Sequence, residues 1–313
     1  MSERDDSYDP QHAVHTKKGR YYCDPATGEM LVSVTNALDE HAIEALAPAA
    51  AKATAEWLMD NLPKAIRAAA DPEDMEAFIK EAKAQYKVQW EKKADLGSRV
   101  HNIAEAINLG APYIPDEEAE PFVESYRKFL RDFGVDIRRR DIKAAECTVL
   151  HRGLGYGGTS DIWAYLTFDG PTSPIVPRFR PRKVPADPIP TPSGLWLIDI
   201  KTSLTKPASA VYDDRVLQLA ALRNAEVALV CPPECRYGEA EFHDSSHEFP
   251  VPEFVGTAIL NLRETTYGFV PLPADQAAFE AFCGLLPLAR YVHELDLRGF
   301  KPVQPPTNHR KAA

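Results

Sequence analysis

The feature that most limits what this chain can fold into is a change of apolar rhythm near residue 134. Before it, apolar side chains recur every three or four residues, as Phe122, Tyr126, Phe129, Leu130 and Phe133 do within 117–133. After it, short β-prone runs take over: Ala144–Leu150, Thr159–Leu166 and Gly194–Lys201. A helical first part therefore feeds a sheet-forming second part. The expected class is mixed α/β, a central mixed sheet with helices on both sides.

The remaining elements fit that frame. Gly19–Cys23 and Met30–Val34 flank the turn-rich Asp24–Glu29 and predict a hairpin. Thr35 or Asn36 is the expected cap of an alanine-rich helix towards Asn61, with Pro48 as an interruption. Asp71-Pro72-Glu73 opens a helix to about Asn108, closed by Gly110, in which Gly97 marks a break or a close backbone approach. A helix over 209–224, a strand over 226–231, a hairpin of 258–262 with 267–272 and a helix over 274–294 complete the order. Between the second and third strands, Gly170–Ser193 holds 8 of the chain's 27 prolines. Proline donates no ladder hydrogen bond, so this stretch is an extended arm or loop. The expected organisation is a hairpin and helical extension over 1–94, a core over 95–296 with the arm at 171–193 inserted, and a loose tail over 297–313.

Composition excludes several classes. The chain of 313 residues carries a formal charge of −10, which argues against coating nucleic acid through bulk charge. No apolar run approaches the roughly 18 residues of a membrane span. The acidic, polar N-terminus lacks the pattern of a signal peptide, and the expected location is cytoplasmic. Five scattered cysteines, Cys23, Cys147, Cys231, Cys235 and Cys283, read as free thiols in a reducing compartment. Neither a zinc site nor an iron–sulfur cluster is expected from their spacing. No GxGxxG or P-loop pattern is present.

The chemistry concentrates in Leu197-Ile198-Asp199-Ile200-Lys201. Residues two apart on a strand share a face, so Asp199 and Lys201 project together while Ile198 and Ile200 face the other way. A carboxylate beside an ammonium suits metal-assisted hydrolysis: the first holds a cation, the second orients water and stabilises developing charge. An isolated triplet of this kind is ordinarily a surface ion pair worth ~0–1 kcal/mol. Its surroundings argue for more. Gly155-Tyr156-Gly157-Gly158 reads as a glycine-rich turn delivering Asp161 into a strand, and pairing of the two strands brings Asp161 to Asp199. Two carboxylates at one point need a cation between them. His101 stands on a predicted helix upstream, and an oxygen-rich set with one imidazole suits magnesium or manganese.

The ordered set Gly97…His101, Glu146, Gly157…Asp161, Asp199-Ile200-Lys201 and Gln218 resembles the PD-(D/E)XK nucleases, in their RecB-type exonuclease branch, and is similar to exonucleases encoded by bacteriophages. The resemblance runs through motifs over about 95–225. It implies a restriction-endonuclease-like core and a metal-dependent DNA exonuclease acting on linear DNA ends in recombination, repair or degradation, with a recombination protein as a partner. It implies that His101, Asp161, Asp199 and the carbonyl of Ile200 ligate Mg²⁺ or Mn²⁺ and that Lys201 positions or activates water. Glu146 would support the metal site or a second ion, and Gln218 would approach the lysine and DNA. The branch usually has tyrosine where Leu222 stands. Two other functions fit the same residues: a structure- or site-specific endonuclease, and a binding module without turnover.

Contacts to DNA are expected from local basic runs. One comprises Arg127, Lys128, Arg131, Arg138, Arg139, Arg140 and Lys143; the other is Arg178, Arg180, Arg182 and Lys183 on the proline-rich arm. A solvated helix end and a passive surface insertion are their plain alternatives. Trp57, Trp90, Trp163 and Trp196 lie in periodic elements and are expected in the core rather than stacked on bases.

Overall fold

The computed structural model describes residues 12–40, 46–169, 191–229 and 248–294. Among the described residues, ten strands form one mixed sheet; of the seven α-helices, the second and third pack on the fourth and the others on the sheet. Strands β1 (Ala13–Thr16), β2 (Gly19–Cys23) and β3 (Met30–Ser33) form an antiparallel meander. Helix α1 (Val34–Asp39) follows without a linker, because the hydroxyl of Ser33 accepts from the backbone N–H of Asn36 at 3.0 Å. Ser33, not the expected Thr35 or Asn36, is the cap. Asn36 instead turns back on Arg20, accepting from its N–H at 3.2 Å and donating to its carbonyl at 2.8 Å.

Helix α2 (Leu46–Asp60) begins at Pro48's own turn, so the proline starts the helix rather than interrupting it. Helix α3 (Leu62–Ala68) leads into α4 (Pro72–Leu109). Asp71 caps α4 through the N–H groups of Glu73 and Asp74, and Gly110 closes it in the left-handed conformation, φ 67°. No break occurs at Gly97, where a Cβ would stand 3.4 Å from the Thr202 hydroxyl. That is an ordinary van der Waals distance to a side chain, so neither the break nor the close backbone approach expected at Gly97 is seen. At 38 residues, α4 is about 57 Å long and runs unbroken through the 94/95 boundary expected from the sequence.

Helix α5 (Glu120–Asp132) buries Phe122, Tyr126, Phe129 and Leu130. Strands β4 (Ile142–His151), β5 (Tyr156–Leu166) and β6 (Gly194–Thr202) then form the centre of the sheet. Helix α6 (Asp213–Arg223), β7 (Val227–Leu229), β8 (Glu248–Pro250), the hairpin β9 (Gly256–Leu262) and β10 (Tyr267–Leu272), and α7 (Gln276–Glu294) complete the order. The expected glycine-rich turn is shorter than its glycines. Gly155, at φ 63°, makes the turn, whereas Gly157 and Gly158 lie inside β5. A Cβ on Gly158 would come within 2.7 Å of Leu222, the position where a tyrosine was expected from the resemblance.

Along one edge β5 pairs with β4. Its other edge is shared: β3 runs parallel to its start at Tyr156 and Gly157, and β6 runs antiparallel to its end from Ile162 to Leu166. The sheet therefore splits beside residues 158–161. β9 pairs parallel to β6 and covers its other edge. Since β3 pairs with β5, the N-terminal hairpin belongs to the same sheet as the core. One apolar cluster joins the sheet to α1, α6 and α7, and another joins it to α5 and the C-terminal part of α4. No helix among the described residues is long and apolar enough to cross a membrane.

Candidate active site

Three adjacent strands carry three carboxylates in one row. The β4–β5 ladder pairs Ala145 with Ile162 and Cys147 with Ser160, which sets Glu146 across from Asp161. The β5–β6 ladder ends at Ile162 with Ile198, and one further step sets Asp161 across from Asp199. Two of the three strands, β4 and β5, are irregular at this row. Ala144 and Cys147 sit in the same apolar cluster, as do Tyr156 and Trp163, although odd separations should place each pair on opposite faces. Each strand thus switches its buried face at the row. In β4 the switch is visible as a left-handed residue, Glu146 at φ 47°, a conformation that costs a non-glycine residue of order 1–3 kcal/mol.

That roll turns Asp161 into the split in the sheet. Its Oδ2 accepts from the backbone N–H of Ile200 at 2.6 Å, in place of a further ladder bond. From one side of the sheet, α4 brings His101 to the same point. Its Nδ1 lies 2.9 Å from Glu146 Oε1 and 3.6 Å from Asp161 Oδ2, and its Nε2 lies 3.2 Å from the carbonyl of Ile200. From the other side, α6 brings Gln218, whose Nε2 donates to Asp199 Oδ1 at 2.9 Å. Lys201 Nζ lies 2.9 and 2.8 Å from the two oxygens of Asp199. Only Oδ1 is in hydrogen-bonding geometry; Oδ2 is held by the charge of the same ammonium.

Electrostatics follow from this crowding. Burial raises the Asp161 carboxyl well above the usual range, His101 offsets part of that, and the charges of Asp199 and Glu146 raise it further. For His101, burial alone would favour the neutral ring, but Asp161 and Glu146 outweigh it and push the imidazole up to about 9. Glu105, one helical turn beyond His101, is raised to about 7 by burial and by the charge of Glu146. Its spacing from His101 was the available sequence signal, and the motif set did not include it.

The donor set fits a divalent cation. Ligand atoms of His101, Glu146 and Asp161 all lie within 4.8 Å of one another. An imidazole and two carboxylates suit magnesium or manganese, with the nitrogen favouring manganese. His101 can offer Nδ1, which faces both carboxylates, while Nε2–H remains on the Ile200 carbonyl and fixes the ring, the usual outer bond of a ligating histidine. The structure thus groups His101, Asp161 and Ile200 as expected but brings Glu146 into the cluster. Asp199 is engaged with Lys201 at both oxygens and with Gln218 at Oδ1, so in this structure it is the lysine's partner rather than a member of the His101–Glu146–Asp161 group.

Residues far along the chain steady the loop after Lys201. Arg263, almost fully buried, donates to the carbonyls of Lys206 at 2.6 Å and Pro207 at 2.8 Å. Asn261 Nδ2 donates to those of Ala208 and Ala210, each at 2.9 Å. Neither residue carries a sequence signal of this role. The expected basic contacts fare differently. Arg138, Arg139 and Arg140 are exposed on the turn before β4, and Arg139 pairs with Asp136 at 3.3 Å. Arg127 and Arg131 are taken up by Glu120 and Glu124, and Lys128 by Asp132. Arg178, Arg180, Arg182, Lys183, Cys231, Cys235 and the tail lie outside the described residues; Cys23, Cys147 and Cys283 are free thiols. Trp163 and Trp196 are buried and Trp57 packs on Phe78 at 5.2 Å, but Trp90 is 54% exposed, contrary to its expected place in the core. No protein-family model matches the chain, and no curated protein matches it.

Proposed function

We propose that the chain is a metal-dependent deoxyribonuclease of the PD-(D/E)XK type, RecB-like branch, with a restriction-endonuclease-like core, hydrolysing linear DNA from its ends. The observation that carries this reading is the row Glu146–Asp161–Asp199 at a split in the sheet. His101 closes it from one face, and Lys201 with Gln218 closes it from the other. A structural ion pair does not need three carboxylates in line, because like charges raise one another's cost.

His101 through Nδ1, Glu146 and Asp161 would hold Mg²⁺ or Mn²⁺, while the Ile200 carbonyl, on the opposite ring nitrogen, would fix the imidazole rather than ligate the ion. Such a cation supplies Lewis-acid polarisation of the phosphoryl oxygen and a lowered pKa for bound water. The chain's own groups do the rest. Gln218 and Lys201 fix the Asp199 carboxylate, and Asp199 in turn holds the Lys201 ammonium in one place. With its side chain 29% exposed, that ammonium can meet both the attacking water and the charge developing on the phosphate. Phosphodiester hydrolysis demands a barrier reduction on the order of 15–23 kcal/mol, so a cation and a positioned cation-bearing side chain are both required.

A time course on end-labelled linear DNA, with closed circular DNA alongside, tests the reading. Release of end label with Mg²⁺ or Mn²⁺, abolished by chelator and absent on circles, is the expected result. Cleavage of circles would assign an endonuclease, and no metal-dependent cleavage of either would refute the reading.

A further inference from the structure

The face of α4 that carries His101 to the site does not end there. At 100° per residue, Gly97, Lys93, Trp90, Tyr86, Lys83 and Ile79 all fall within about 40° of one line along the helix, and His101 falls on the same stripe. Gly97 packs against Thr202, the residue after Lys201. N-terminal of Gly97 the stripe leaves the core. Trp90 is 54% exposed, Tyr86 46% and Ile79 44%, and Lys83 and Lys93 beside them are exposed as well. By helical rise, Trp90 and Tyr86 stand about 16 and 22 Å from His101 along the axis.

The charge on this stretch is opposite to that of the whole. Residues 80–95 hold Lys80, Lys83, Lys87, Lys92 and Lys93 against Glu81, Glu91 and Asp95, in a chain of net charge −10. Glu81 is engaged by Lys64 and Asp95 by Arg99, which leaves Glu91, 3.8 Å from Lys87, as the remaining acid. Large exposed aromatic rings cost stability in water unless something covers them. Rings interleaved with lysines match a single-stranded nucleic acid, whose bases stack on the rings and whose phosphates meet the ammonium groups. Duplex DNA offers no free base faces to such a stripe.

We infer that Trp90 and Tyr86, flanked by Lys83 and Lys93, form a stacking track for the unpaired bases of the DNA strand that leads to the site. The inference rests on the nuclease reading for its direction towards the site, but not for the binding itself.

The test uses the full chain in chelator, so that nothing is cleaved, with a single-stranded oligothymidylate and a blunt duplex as probes. The oligothymidylate should quench tryptophan fluorescence. Trp90→Ala with Tyr86→Ala should weaken its binding by about tenfold or more, as stacking on an aromatic side chain typically does. Trp90→Phe should retain most of the affinity, a rescue that a mere folding defect would not show, and far-ultraviolet circular dichroism checks that the helix is intact. Unchanged affinity in the double variant, or equal quenching by the blunt duplex, would overturn the inference. So would a concentration-dependent dimer that the double variant abolishes without change in DNA affinity, since the stripe would then belong to a second copy. Failure of the nuclease reading shows separately, as absence of metal-dependent cleavage by the unaltered chain.

Discussion

Two charge clusters on the same sheet are built to opposite rules. At the turn between β4 and β5, Arg152 meets Asp24 through two bonds of 2.7 and 2.8 Å and reaches Glu248 through both of its oxygens. Asp24 also accepts from the N–H of Ala26 and the hydroxyl of Thr27. Its carboxylate is buried, and the Arg152 guanidinium, together with these backbone and hydroxyl donors, holds it down to about 2. A few residues along the same strands, the Glu146–Asp161–Asp199 row gathers carboxylates that crowd one another, with Lys201 on Asp199 and His101 beside Asp161, and the crowding and burial raise Asp161. The first cluster satisfies every oxygen and ties the N-terminal hairpin to the core. The second crowds carboxylates beside a left-handed residue, the kind of strain that a bound cation would relieve.

Substitutions should separate the two. The largest effect belongs to the row: Lys201→Ala or Asp199→Ala should reduce DNA cleavage by on the order of 10³-fold at a temperature where each variant is still folded. Steady-state rates beside a melting curve read both quantities. Next in size, Arg152→Ala should cost about 2–4 kcal/mol of stability, because Asp24 is then buried without its partner; partial exposure of Arg152 keeps the loss below that of a fully buried pair. Denaturant unfolding measures it. The contrast sharpens with Asp161→Asn. Ionised Asp161 is disfavoured in the fold, so neutralising it should stabilise the metal-free protein by about 1 kcal/mol, the opposite sign to the Arg152 change.

The smallest effect is the most specific. Asp24 has a lowered carboxyl in the folded chain, so its contribution is fully present above the ordinary carboxylate range near 4 and is lost as pH falls towards 2. The stability gap between the natural chain and Asp24→Asn should therefore be constant above about pH 4 and narrow below it. A gap that instead opened on acidification would mean that Asp24 is not the held carboxylate.

What the sequence shows of this site is what strand periodicity and spacing can carry. Asp199 and Lys201 are legible as one face of β6 because their strand is regular, with Ile198 and Ile200 packed on the other side. Asp161, His101 and Gln218 were placed by motif order, and the pairing of β5 with β6 brings them in. Glu146 is legible as support for a metal site or a second ion but not in its exact place, since that depends on a left-handed kink at a residue type that gives no sign of one. Arg263 and Asn261 act across more than 50 residues of chain, on backbone carbonyls that no pattern marks. The helix boundaries held within a few residues where a cap announced them, as at Asp71 and Gly110, and slipped where Ser33 took the cap from Thr35. Trp90 was misplaced for a plain reason: α4 keeps its period after the core that explains it has ended.

The central claim is that His101, Glu146 and Asp161 make one cation site. Calorimetric titration of Mn²⁺ into the natural chain and into His101→Ala and Glu146→Gln tests it most directly. One saturable site per chain, weakened at least tenfold by either substitution, is the predicted result. Absence of Mn²⁺ binding by the natural chain, or equal affinity in all three proteins, would contradict it.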